Sequence, residues 1–484
     1  MRVLHVCTEI YPLLKTGGLA DVAGALPPAL ASLGVDVRML VPGFPALCEA
    51  IGQRQRVAVL PTRFGADAIE LTLGMLPNGV STYLIEAPAL YDRPGSPYAD
   101  GNGVPYADNY RRFALLGWVA AQLAAELDPT WQAQVCHAHD WHAGLCSAYI
   151  AAHRRATGQR SAGSLQTIHN LAYQGLYPAE IMSELDLPGD FFGVDGVEFY
   201  GHVSFLKAGL YYCDEITTVS PTYAREIQQA EQGCGLQGLL TTRAHDLTGI
   251  LNGVDTAVWN PATDIEIEVP YSLDCLEGKQ QCRTALQQES GLNQQSHAPL
   301  FGIVSRLTDQ KGLHLVLDGL AELIAKGGQL VVLGSGEREL EEAFQQFALA
   351  HPNSVAIEVG YNESKAHRLI AGCDVILVPS RFEPCGLTQL YALAYGTLPL
   401  VRRVGGLADS VVDCTPENLT KDIATGFVFD DFSLEAFMAA LQRTFTLYSE
   451  KNTWLALKQC AMRQSFDWQD SAKKLLPIYR RLIS

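Results

Sequence analysis

Short apolar runs rich in β-branched residues alternate along this chain with longer segments in which apolar residues recur at helical spacing. Buried strands of a parallel sheet read as continuous apolar runs and are connected by helices, so this alternation predicts parallel sheets covered by helices. The runs in the first half are 2–7, 35–41, 163–168, 215–219 and 247–251. Those in the second half are 300–304, 329–333, 355–359, 375–378 and 398–401. We expect an α/β fold in which each half forms its own doubly wound, Rossmann-like sheet.

A polar stretch rich in Gln and Glu, residues 260–298, separates the two series of runs. The chain of 484 residues is also longer than a single core commonly supports. We therefore predict a first Rossmann-like domain at 1–252 and a second at 253–455, with a final helix at 456–484 that crosses back to the first. Ligands bind outside the carboxyl ends of the strands in such sheets. The two domains are therefore expected to face a central cleft and to close on a ligand.

The acidic balance of the chain restricts its partners. Apolar residues make up 48% and charged residues 18% of the sequence, which is typical of a globular protein, and the formal net charge is −17. That charge argues against nucleic acid and anionic membrane surfaces as partners. The sequence shows no C-x-x-C pair among its twelve cysteines, no signal peptide and no apolar run of about 18 residues. We expect a soluble, cytoplasmic protein with reduced cysteines.

The turn after the first strand combines glycines with a cation. Lys15, Gly17 and Gly18 stand immediately before a helical pattern. Glycines let an anion approach the backbone N–H groups at the start of a helix, where the helix dipole favours negative charge, and Lys15 adds a full positive charge. The turn therefore predicts a phosphate site. An ordinary βα turn with a surface lysine would leave the same pattern.

Histidines cluster where strands of the first half end. Three of them lie within one six-residue segment that starts at His137, and His169 and Asn170 end the next predicted strand. H-x-H at a strand end can bind zinc, but neither a carboxylate nor a cysteine completes a recognisable spacing, so a metal site is disfavoured. His137 and His142 fit buried structural histidines. Asp140, His169 and Asn170 are the better candidates for contact with a ligand, because they stand at strand ends.

Two turns of the second half carry the remaining candidates. Arg306 and Lys311 follow the run at 300–304, where two cations can clamp a diphosphate. Glu383 can accept hydrogen bonds from hydroxyl groups, and the turn at 386–388 offers N–H groups at the start of a helix. A solvated helix start is the alternative for the two cations. Two positive charges at the positive end of a helix dipole nevertheless favour an anion between them.

Six segments, in the same order and spread over nearly the whole chain, resemble the bacterial glycogen synthases and plant starch synthases. These are glycosyltransferases of family 5 with the two-domain GT-B architecture. The segments are Lys15-Thr-Gly-Gly-Leu-Ala-Asp21, His139-Asp-Trp-His142, Thr167-Ile-His-Asn170, Leu251-Asn-Gly-Val-Asp255, Ser305-Arg-Leu-Thr-Asp-Gln-Lys-Gly312 and Glu383-Pro-Cys-Gly-Leu-Thr388. One departure concerns Tyr391, which stands where many retaining GT-B enzymes have a second glutamate. Bacterial members share it, but the ribose contact of that glutamate cannot be carried over.

The resemblance implies roles for the residues of these segments. The diphosphate would be held by Lys15, Gly18, Arg306 and Lys311, with Tyr361 stacking near the adenine. The glucose hydroxyls and the distal phosphate would be held by Glu383 and the turn of Cys385, Gly386, Leu387 and Thr388. The sugar pocket, which supplies the candidate catalytic residues, would consist of Glu383, Asp21, Asp140, His169, Asn170 and Asn252.

The resemblance also implies an activity. It is the transfer of glucose from ADP-glucose, with retention of the α configuration, to the nonreducing-end 4-hydroxyl of an α-1,4-glucan such as glycogen. No cofactor and no obligate protein partner are expected. No metal ion is expected either, because Arg306 and Lys311 can neutralise the phosphates. No carboxylate pair like that of a glycosidase stands out, so we expect front-face attack with the departing phosphate accepting the acceptor's proton. Two alternatives stay open: a retaining transferase that uses UDP-glucose, and a catalytically silent glucan-binding protein.

Overall fold

The computed structural model describes residues 1–295 and 297–484. The chain forms two compact units: unit 1 comprises Met1–Gly253 together with Trp468–Ser484, and unit 2 comprises Val254–Asp467. The C-terminal segment therefore belongs to the same unit as the N-terminus. Among the described residues, no helix combines the length and the hydropathy that a membrane span requires.

The strands of the described residues fall into three sheets. In unit 1 they are β1 (Arg2–Val6), β2 (Asp36–Pro42), β3 (Gln55–Leu60), β4 (Ile69–Met75), β5 (Ser81–Glu86), β6 (Val135–His139), β7 (Gly163–Ile168), β8 (Leu176–Pro178), β9 (Glu198–Phe199), β10 (His202–Ser204), β11 (Glu215–Thr218) and β12 (Leu247–Gly249). In unit 2 they are β13 (Leu300–Val304), β14 (Gln329–Gly334), β15 (Val355–Val359), β16 (Val375–Val378), β17 (Leu398–Arg402) and β18 (Phe427–Phe429).

Helices connect most of these strands. In unit 1 they are α1 (Gly18–Ser32), α2 (Pro45–Ile51), α3 (Pro88–Tyr91), α4 (Asn109–Ala124), α5 (Leu145–Thr157), α6 (Phe205–Tyr212), α7 (Pro221–Glu226) and α8 (Gln237–Thr242). In unit 2 they are α9 (Glu277–Glu289), α10 (Leu313–Ala325), α11 (Arg338–Ala350), α12 (Glu363–Gly372), α13 (Thr388–Ala394), α14 (Gly405–Ser410), α15 (Pro416–Thr420), α16 (Leu434–Ser449) and α17 (Lys451–Met462). The last helix, α18 (Trp468–Ile483), returns to unit 1.

The large sheet of unit 1 has the order β12-β11-β7-β6-β1-β2-β5-β4-β3. Its strands from β12 to β5 are parallel, whereas β4 and β3 pair antiparallel at one edge. The chain runs outward from β1 through β2 and later returns to place β6 on the other side of β1. The order therefore reverses between β1 and β6, which is where doubly wound sheets bind their ligands.

Helix α18 shows why the C-terminus belongs to unit 1. Trp468, Ala472, Leu475, Tyr479 and Leu482 recur at three- and four-residue intervals, so they form one apolar face of the helix. All five are buried, in the same cluster as the inner face of α1 and the start of β1. This burial ties the two ends of the chain together and brings a tyrosine against the middle of the sheet.

The sheet of unit 2 has the order β15-β14-β13-β16-β17-β18, and all of its strand pairs are parallel. Its order reverses between β13 and β16, because the chain first adds β14 and β15 on one side and then β16 to β18 on the other. The carboxyl ends of β13 and β16 therefore form the second expected ligand site.

The α/β architecture with doubly wound parallel sheets is confirmed. Each of the ten predicted runs contains a strand, with ends shifted by at most two residues. The apolar pattern did not predict β3, β4 and β5. In β3 only the last residue is buried, so this edge strand lacks the continuous apolar run by which a central parallel strand is recognised.

Candidate active site

The Lys15 turn leaves β1 at the switch point of unit 1, and a buried carboxylate holds it in place. Glu9 accepts hydrogen bonds from Thr16 N at 2.6 Å, from Thr16 Oγ1 at 2.6 Å and from Gly17 N at 3.1 Å. It also accepts one from the Tyr98 hydroxyl. Since hydrogen bonds to a charged group are strong, this carboxylate fixes the conformation of the turn before any ligand arrives.

The cation of this turn lies against the helix that follows it. Lys15 Nζ is 3.0 Å from Asp21 Oδ1, and the two side chains are 20% and 13% exposed. Gly18 begins α1 and is exposed, while Gly17 has an extended backbone with no atom within 4 Å of an added Cβ. Lys15, Gly18 and Asp21 therefore form one partly open group at the start of α1, and Gly17 leaves room for a ligand to approach the backbone.

Asp140 joins the end of β6 to the end of β7. Its Oδ1 accepts hydrogen bonds from His169 N at 2.8 Å and Asn170 N at 3.3 Å, and its own N–H donates to Thr167 O. The backbone of Asp140 has φ 56°, a left-handed conformation that an acidic residue adopts more readily than most others. Burial raises the pKa of the Asp140 carboxyl to about 7. Three candidates from two separate motifs, Asp140, His169 and Asn170, are thus one hydrogen-bonded unit.

Burial lowers the pKa of His169 in this unit and of its neighbours His137 and His139, so all three are neutral. The pKa of His169 is lowered to about 3 by desolvation, and its Nε2 lies 3.0 Å from His139 Nδ1. His137 is buried with both ring nitrogens hydrogen-bonded, to the hydroxyls of Tyr479 at 2.8 Å and Thr167 at 2.5 Å. A neutral imidazole can donate or accept a hydrogen bond, but it brings no charge to the site.

Asn252 and His169 line the same small cavity, of about 30 Å³. The cavity also touches Thr217 on β11 and Trp468 at the start of α18. Asn252 and His169 are both partly buried. The Asn252 turn is therefore brought to the carboxyl ends of β7 and β11, beside the other candidates of unit 1.

A larger cavity, of about 370 Å³, opens beside the same motifs. Its lining includes the rings of Trp141, Tyr173 and Phe199 and the side chain of Gln174. The Oε1 atom of Gln174 is buried without a hydrogen-bond partner among the described residues. Aromatic faces beside an amide oxygen suit a ligand with both apolar C–H faces and hydroxyl groups.

In unit 2 the loops after β13 and β16 are bonded to each other at the switch point. Arg381 N donates to Gln310 O at 2.8 Å, and Gln310 Nε2 donates to Phe382 O at 3.3 Å. Thr388 Oγ1 donates to Val304 O at 3.2 Å. These contacts bring together the two charged motifs of the second half, which are far apart in the sequence.

The contact at the centre of this loop pair is an ion pair. Lys311 Nζ lies 2.6 Å from Glu383 Oε2, and their side chains are 17% and 7% exposed. Ser380 Oγ donates a second hydrogen bond to the same carboxylate oxygen at 2.9 Å. Glu383 is therefore a buried carboxylate held by one cation and one hydroxyl.

Glycines make this close approach possible. Gly312 has φ +65°, and a Cβ there would lie 2.1 Å from Pro379 O at the end of β16. Gly405 has φ +43°, and its Cβ would lie 1.9 Å from Glu383 O. Gly386, in the turn with Cys385, has φ +72°. Backbone lies directly against Gly312 and Gly405, so a side chain at either position would push the charged loops apart.

The other candidates of unit 2 differ in exposure. Arg306 is exposed after β13, and the Tyr361 side chain is 69% exposed after β15. Cys385 is buried, whereas Leu387 and Thr388 are partly buried around the start of α13. The guanidinium of Arg306 and the ring of Tyr361 therefore reach the surface of unit 2, whereas the side chain of Cys385 does not.

Tyr391, which stands where many retaining GT-B enzymes have a second glutamate, is a core residue. Its ring stacks on Trp259 with centroids 3.9 Å apart and planes 4° apart. The opposite face of Trp259 stacks on His367 at 3.7 Å, and His367 Nδ1 lies 2.7 Å from Asp264 Oδ2. At this position the chain has an aromatic stack in place of a carboxylate.

Two family matches cover most of the chain. Residues 2–242 match the starch synthase catalytic domain, and residues 286–454 match the glycosyl transferases group 1 domain. The chain is 57% identical to a glycogen synthase of Francisella philomiragia, with full coverage of both chains. It is 56% identical to a glycogen synthase of Francisella tularensis subsp. novicida, over 100% of this chain and 99% of the relative.

The chain belongs to the glycogen and starch synthase family. It is therefore a glycosyltransferase. Among solved structures it is similar to the catalytic domain of starch synthase IV from Arabidopsis thaliana bound to ADP and acarbose, with a TM-score of 0.90, 30% identity and coverage of 100% and 99%. A sucrose-phosphate synthase from Thermosynechococcus elongatus has a TM-score of 0.59 at 16% identity, with coverage of 99% and 98%, and shares the fold.

Sequence reasoning missed several residues that support the candidate site residues. Glu9 stands just beyond β1, where a carboxylate after a buried strand was an available signal. His5 interrupts an apolar run, and a buried polar residue in a central strand is itself uncommon. Tyr98 and Tyr479 gave no comparable signal, since each reaches the site from a distant part of the chain.

Proposed function

We propose that this protein transfers glucose from ADP-glucose to the nonreducing-end 4-hydroxyl of an α-1,4-glucan, with retention of configuration, and so elongates glycogen in the cytoplasm. The observation that carries the proposal is the Lys311–Glu383 pair at the switch point of unit 2. The pair places a cation that can bind a phosphate 2.6 Å from a buried carboxylate that can bind a sugar. Breaking a glycosyl–phosphate bond requires that combination of charges.

In unit 2 we assign the diphosphate to Arg306 and Lys311. Negative charge builds on the leaving diphosphate as the bond breaks, and two cations after β13 stabilise it. We assign the glucose hydroxyls to Glu383 and to the turn of Cys385, Gly386, Leu387 and Thr388, with the adenine against the exposed ring of Tyr361. The ADP bound by the similar starch synthase IV supports an adenine nucleotide as the leaving group.

In unit 1 we assign further phosphate contacts to Lys15 and Gly18. The sugar contacts fall to Asp21, Asp140, His169, Asn170 and Asn252. His169 is neutral, because its pKa is lowered to about 3, so it offers a hydrogen bond without adding charge near a developing cation. The backbone amides that Asp140 orders place His169 and Asn170 in a fixed geometry.

We assign the glucan acceptor to the cavity lined by Trp141, Tyr173 and Phe199. Sugar rings present apolar C–H faces that pack on aromatic rings, while hydroxyl groups need polar partners such as Gln174. The acarbose bound by the similar starch synthase IV supports a carbohydrate site in this fold.

The proposed step balances without a covalent enzyme intermediate. The acceptor's 4-hydroxyl oxygen bonds to the anomeric carbon on the face that the phosphate leaves, and its proton passes to the departing phosphate oxygen. ADP is released, and the new bond keeps the α configuration. Lys311 and Arg306 stabilise the phosphate charge, while Glu383 stabilises the positive charge on the glucosyl group.

The test is a donor competition with glycogen as acceptor. We expect release of ADP from ADP-glucose, incorporation of glucose as α-1,4-linked product by NMR, and much slower turnover of UDP-glucose. Faster turnover of UDP-glucose would replace the donor assignment. Glycogen binding without nucleotide release from either donor would identify a silent glucan-binding protein.

A further inference from the structure

A continuous series of hydrogen bonds runs through the interior of unit 1 to His169. His169 Nε2 lies 3.0 Å from His139 Nδ1, and His139 Nε2 lies 3.0 Å from His5 Nδ1. His5 Nε2 in turn lies 3.3 Å from the hydroxyl of Tyr479 on α18. The same hydroxyl is 2.8 Å from His137 Nδ1. A tyrosine from the C-terminal helix therefore links the histidines of β1 and β6.

The series continues across two further strands. His137 Nε2 is 2.5 Å from Thr167 Oγ1 on β7, and Thr167 Oγ1 is 2.6 Å from Thr217 Oγ1 on β11. Strand register explains the geometry, because His5 is paired with His137, and Thr167 is paired with Thr217. We call the series from Thr217 to His169 the histidine chain.

The histidine chain leaves no ring nitrogen available for a metal ion at its centre. His5, His137 and His139 offer nitrogen atoms within 4.8 Å of one another, a spacing that could hold a cation. Both nitrogens of each ring are already hydrogen-bonded to other members of the histidine chain. Burial also lowers the pKa of all three rings, so they are neutral. Coordination of a metal would break bonds that are costly to lose in a buried site.

The protons of the histidine chain are ordered in one direction. A neutral imidazole has one N–H donor and one acceptor nitrogen, and the hydroxyls of Tyr479 and Thr167 each have a single proton. If one member donates toward His169, each of its neighbours must also donate toward His169. Tyr479 carries this order from one half of the histidine chain to the other, because within the described residues its hydroxyl is the only hydrogen-bonding group that joins His137 to His5.

Thr217, at the buried end of the histidine chain, determines the direction in which the hydrogen bonds are donated. Within the described residues, the side chain of Thr217 has Thr167 Oγ1 as its one hydrogen-bond partner, and Thr217 is 2% exposed. If the chain donated toward Thr217, the Thr217 hydroxyl would be left without an acceptor in the protein, at a cost. Donation away from Thr217 satisfies every hydroxyl proton. In that direction His169 Nε2 accepts from His139, and the proton of His169 lies on Nδ1.

We propose that Tyr479 is a positioning residue, which holds His169 as the Nδ1–H tautomer so that the ring donates a hydrogen bond to a substrate oxygen. Nδ1 of His169 has no hydrogen-bond partner among the described residues, so this donor is available to a ligand. The tautomer follows from the histidine chain itself, and only its contribution to turnover rests on the proposed function.

The tautomer is measured directly by NMR of protein carrying ¹⁵N-labelled histidine rings, without substrate. In the wild type we expect His169, assigned by its loss in His169→Gln, to be protonated on Nδ1. Tyr479→Phe removes the one proton that orders His5 and His139, so a population of the Nε2–H tautomer should appear. Thr167→Val, an isosteric change in a strand, should have the same effect if Tyr479→Phe fails to fold. Tyr83→Phe is the matched control, because it removes a buried tyrosine hydroxyl that bonds to Asp128, outside the histidine chain.

Kinetics separate positioning from stability. Tyr479→Phe should lower kcat roughly tenfold or more with little change in the donor KM, the magnitude expected when the orienting partner of a functional histidine is lost. Tyr83→Phe should leave kcat unchanged. Three results would overturn the inference. They are a wild-type His169 protonated on Nε2, His169 signals that are unchanged in both Tyr479→Phe and Thr167→Val, and binding of zinc by the wild type with loss of these signals. Failure of the wild type to use ADP-glucose would refute the proposed function instead.

Discussion

Lys311 Nζ and Glu383 Oε2 lie 2.6 Å apart, although 72 residues separate them in the sequence. The cation assigned to the donor's phosphate is thus held by the carboxylate assigned to its sugar. Lys15 and Asp21 repeat the arrangement in unit 1, at 3.0 Å. In each unit a carboxylate keeps a partly buried lysine in place before the substrate arrives, which lowers the cost of ordering that side chain on binding.

The Lys311–Glu383 pair should be coupled in stability. Lys311→Met leaves a buried carboxylate without its cation and should cost about 1–3 kcal/mol in the free protein. Adding Glu383→Gln should restore part of that loss, since the uncompensated charge is then removed. Thermal unfolding of the two single variants and the double variant measures the coupling. Strictly additive effects would show that the pair contributes nothing to the ligand-free fold.

Glu383→Gln should lower kcat far more than it weakens donor binding. The amide keeps the shape and one acceptor oxygen but loses the charge that stabilises a cationic glucosyl group, so we expect a loss on the order of 100-fold in kcat. Calorimetry with ADP-glucose measures the affinity for the donor separately from turnover. Ser380→Ala is the control, because it removes only the second hydrogen bond to the same oxygen. An equal loss in binding and turnover would make Glu383 an ordinary hydroxyl acceptor.

Lys15→Gln should weaken use of ADP-glucose without unfolding the protein. The side chain is partly exposed, and a lost charge-assisted contact with phosphate typically costs about 1.5–3 kcal/mol. Lys421→Gln is a matched control, since Lys421 is 58% exposed in a surface pair with Glu417. Donor KM and kcat measured for both variants decide the question. If Lys15→Gln had the same donor KM and kcat as Lys421→Gln, the Lys15 turn would not contact the phosphates.

Gly17→Ala separates ligand approach from backbone strain. An added methyl at Gly17 meets no atom within 4 Å and the backbone is extended, so the variant should be as stable as the wild type. It should nevertheless bind ADP-glucose more weakly if a phosphate lies against this backbone. Gly312→Ala should instead be strongly destabilised, because its Cβ would meet Pro379 O at 2.1 Å. Normal donor affinity in Gly17→Ala would place the phosphate elsewhere.

Asp140→Asn should change how stability depends on pH. Burial raises the pKa of Asp140 to about 7, so the folded state holds this proton more tightly than the unfolded state does. Ionisation of Asp140 therefore lowers wild-type stability as the pH rises from about 4 to about 7, by about 1.4 kcal/mol per unit of pKa difference. Asparagine keeps the acceptor for His169 N and Asn170 N without this penalty.

The Tm of Asp140→Asn relative to wild type should thus be higher at pH 8 than at pH 5. Asp190→Asn provides the control, because its carboxylate is 60% exposed in a surface pair. A Tm difference that stayed constant between the two pH values would contradict the raised pKa of Asp140.

Sequence reasoning reached the α/β architecture and placed the candidate motifs at the ends of its strands. Continuous apolar runs are a local property, so the central strands could be read directly, and the charged motifs that follow them had to lie at one edge of each sheet. Arg306, Lys311 and Glu383 could therefore be grouped from the sequence alone, before the contact between Lys311 and Glu383 was known.

The sequence by itself determined which residues stand at strand ends, because that follows from local periodicity. Only the tertiary structure decided which of them touch: Lys311 on Glu383, Glu9 on the Lys15 turn, and Tyr479 between His5 and His137. Those contacts depend on strand order, register and the return of α18 to unit 1, and each joins positions that carry no shared local pattern. The physical reason is that hydrogen bonds and ion pairs are set by distances of about 3 Å in space, whereas sequence periodicity reports only which face of an element is buried.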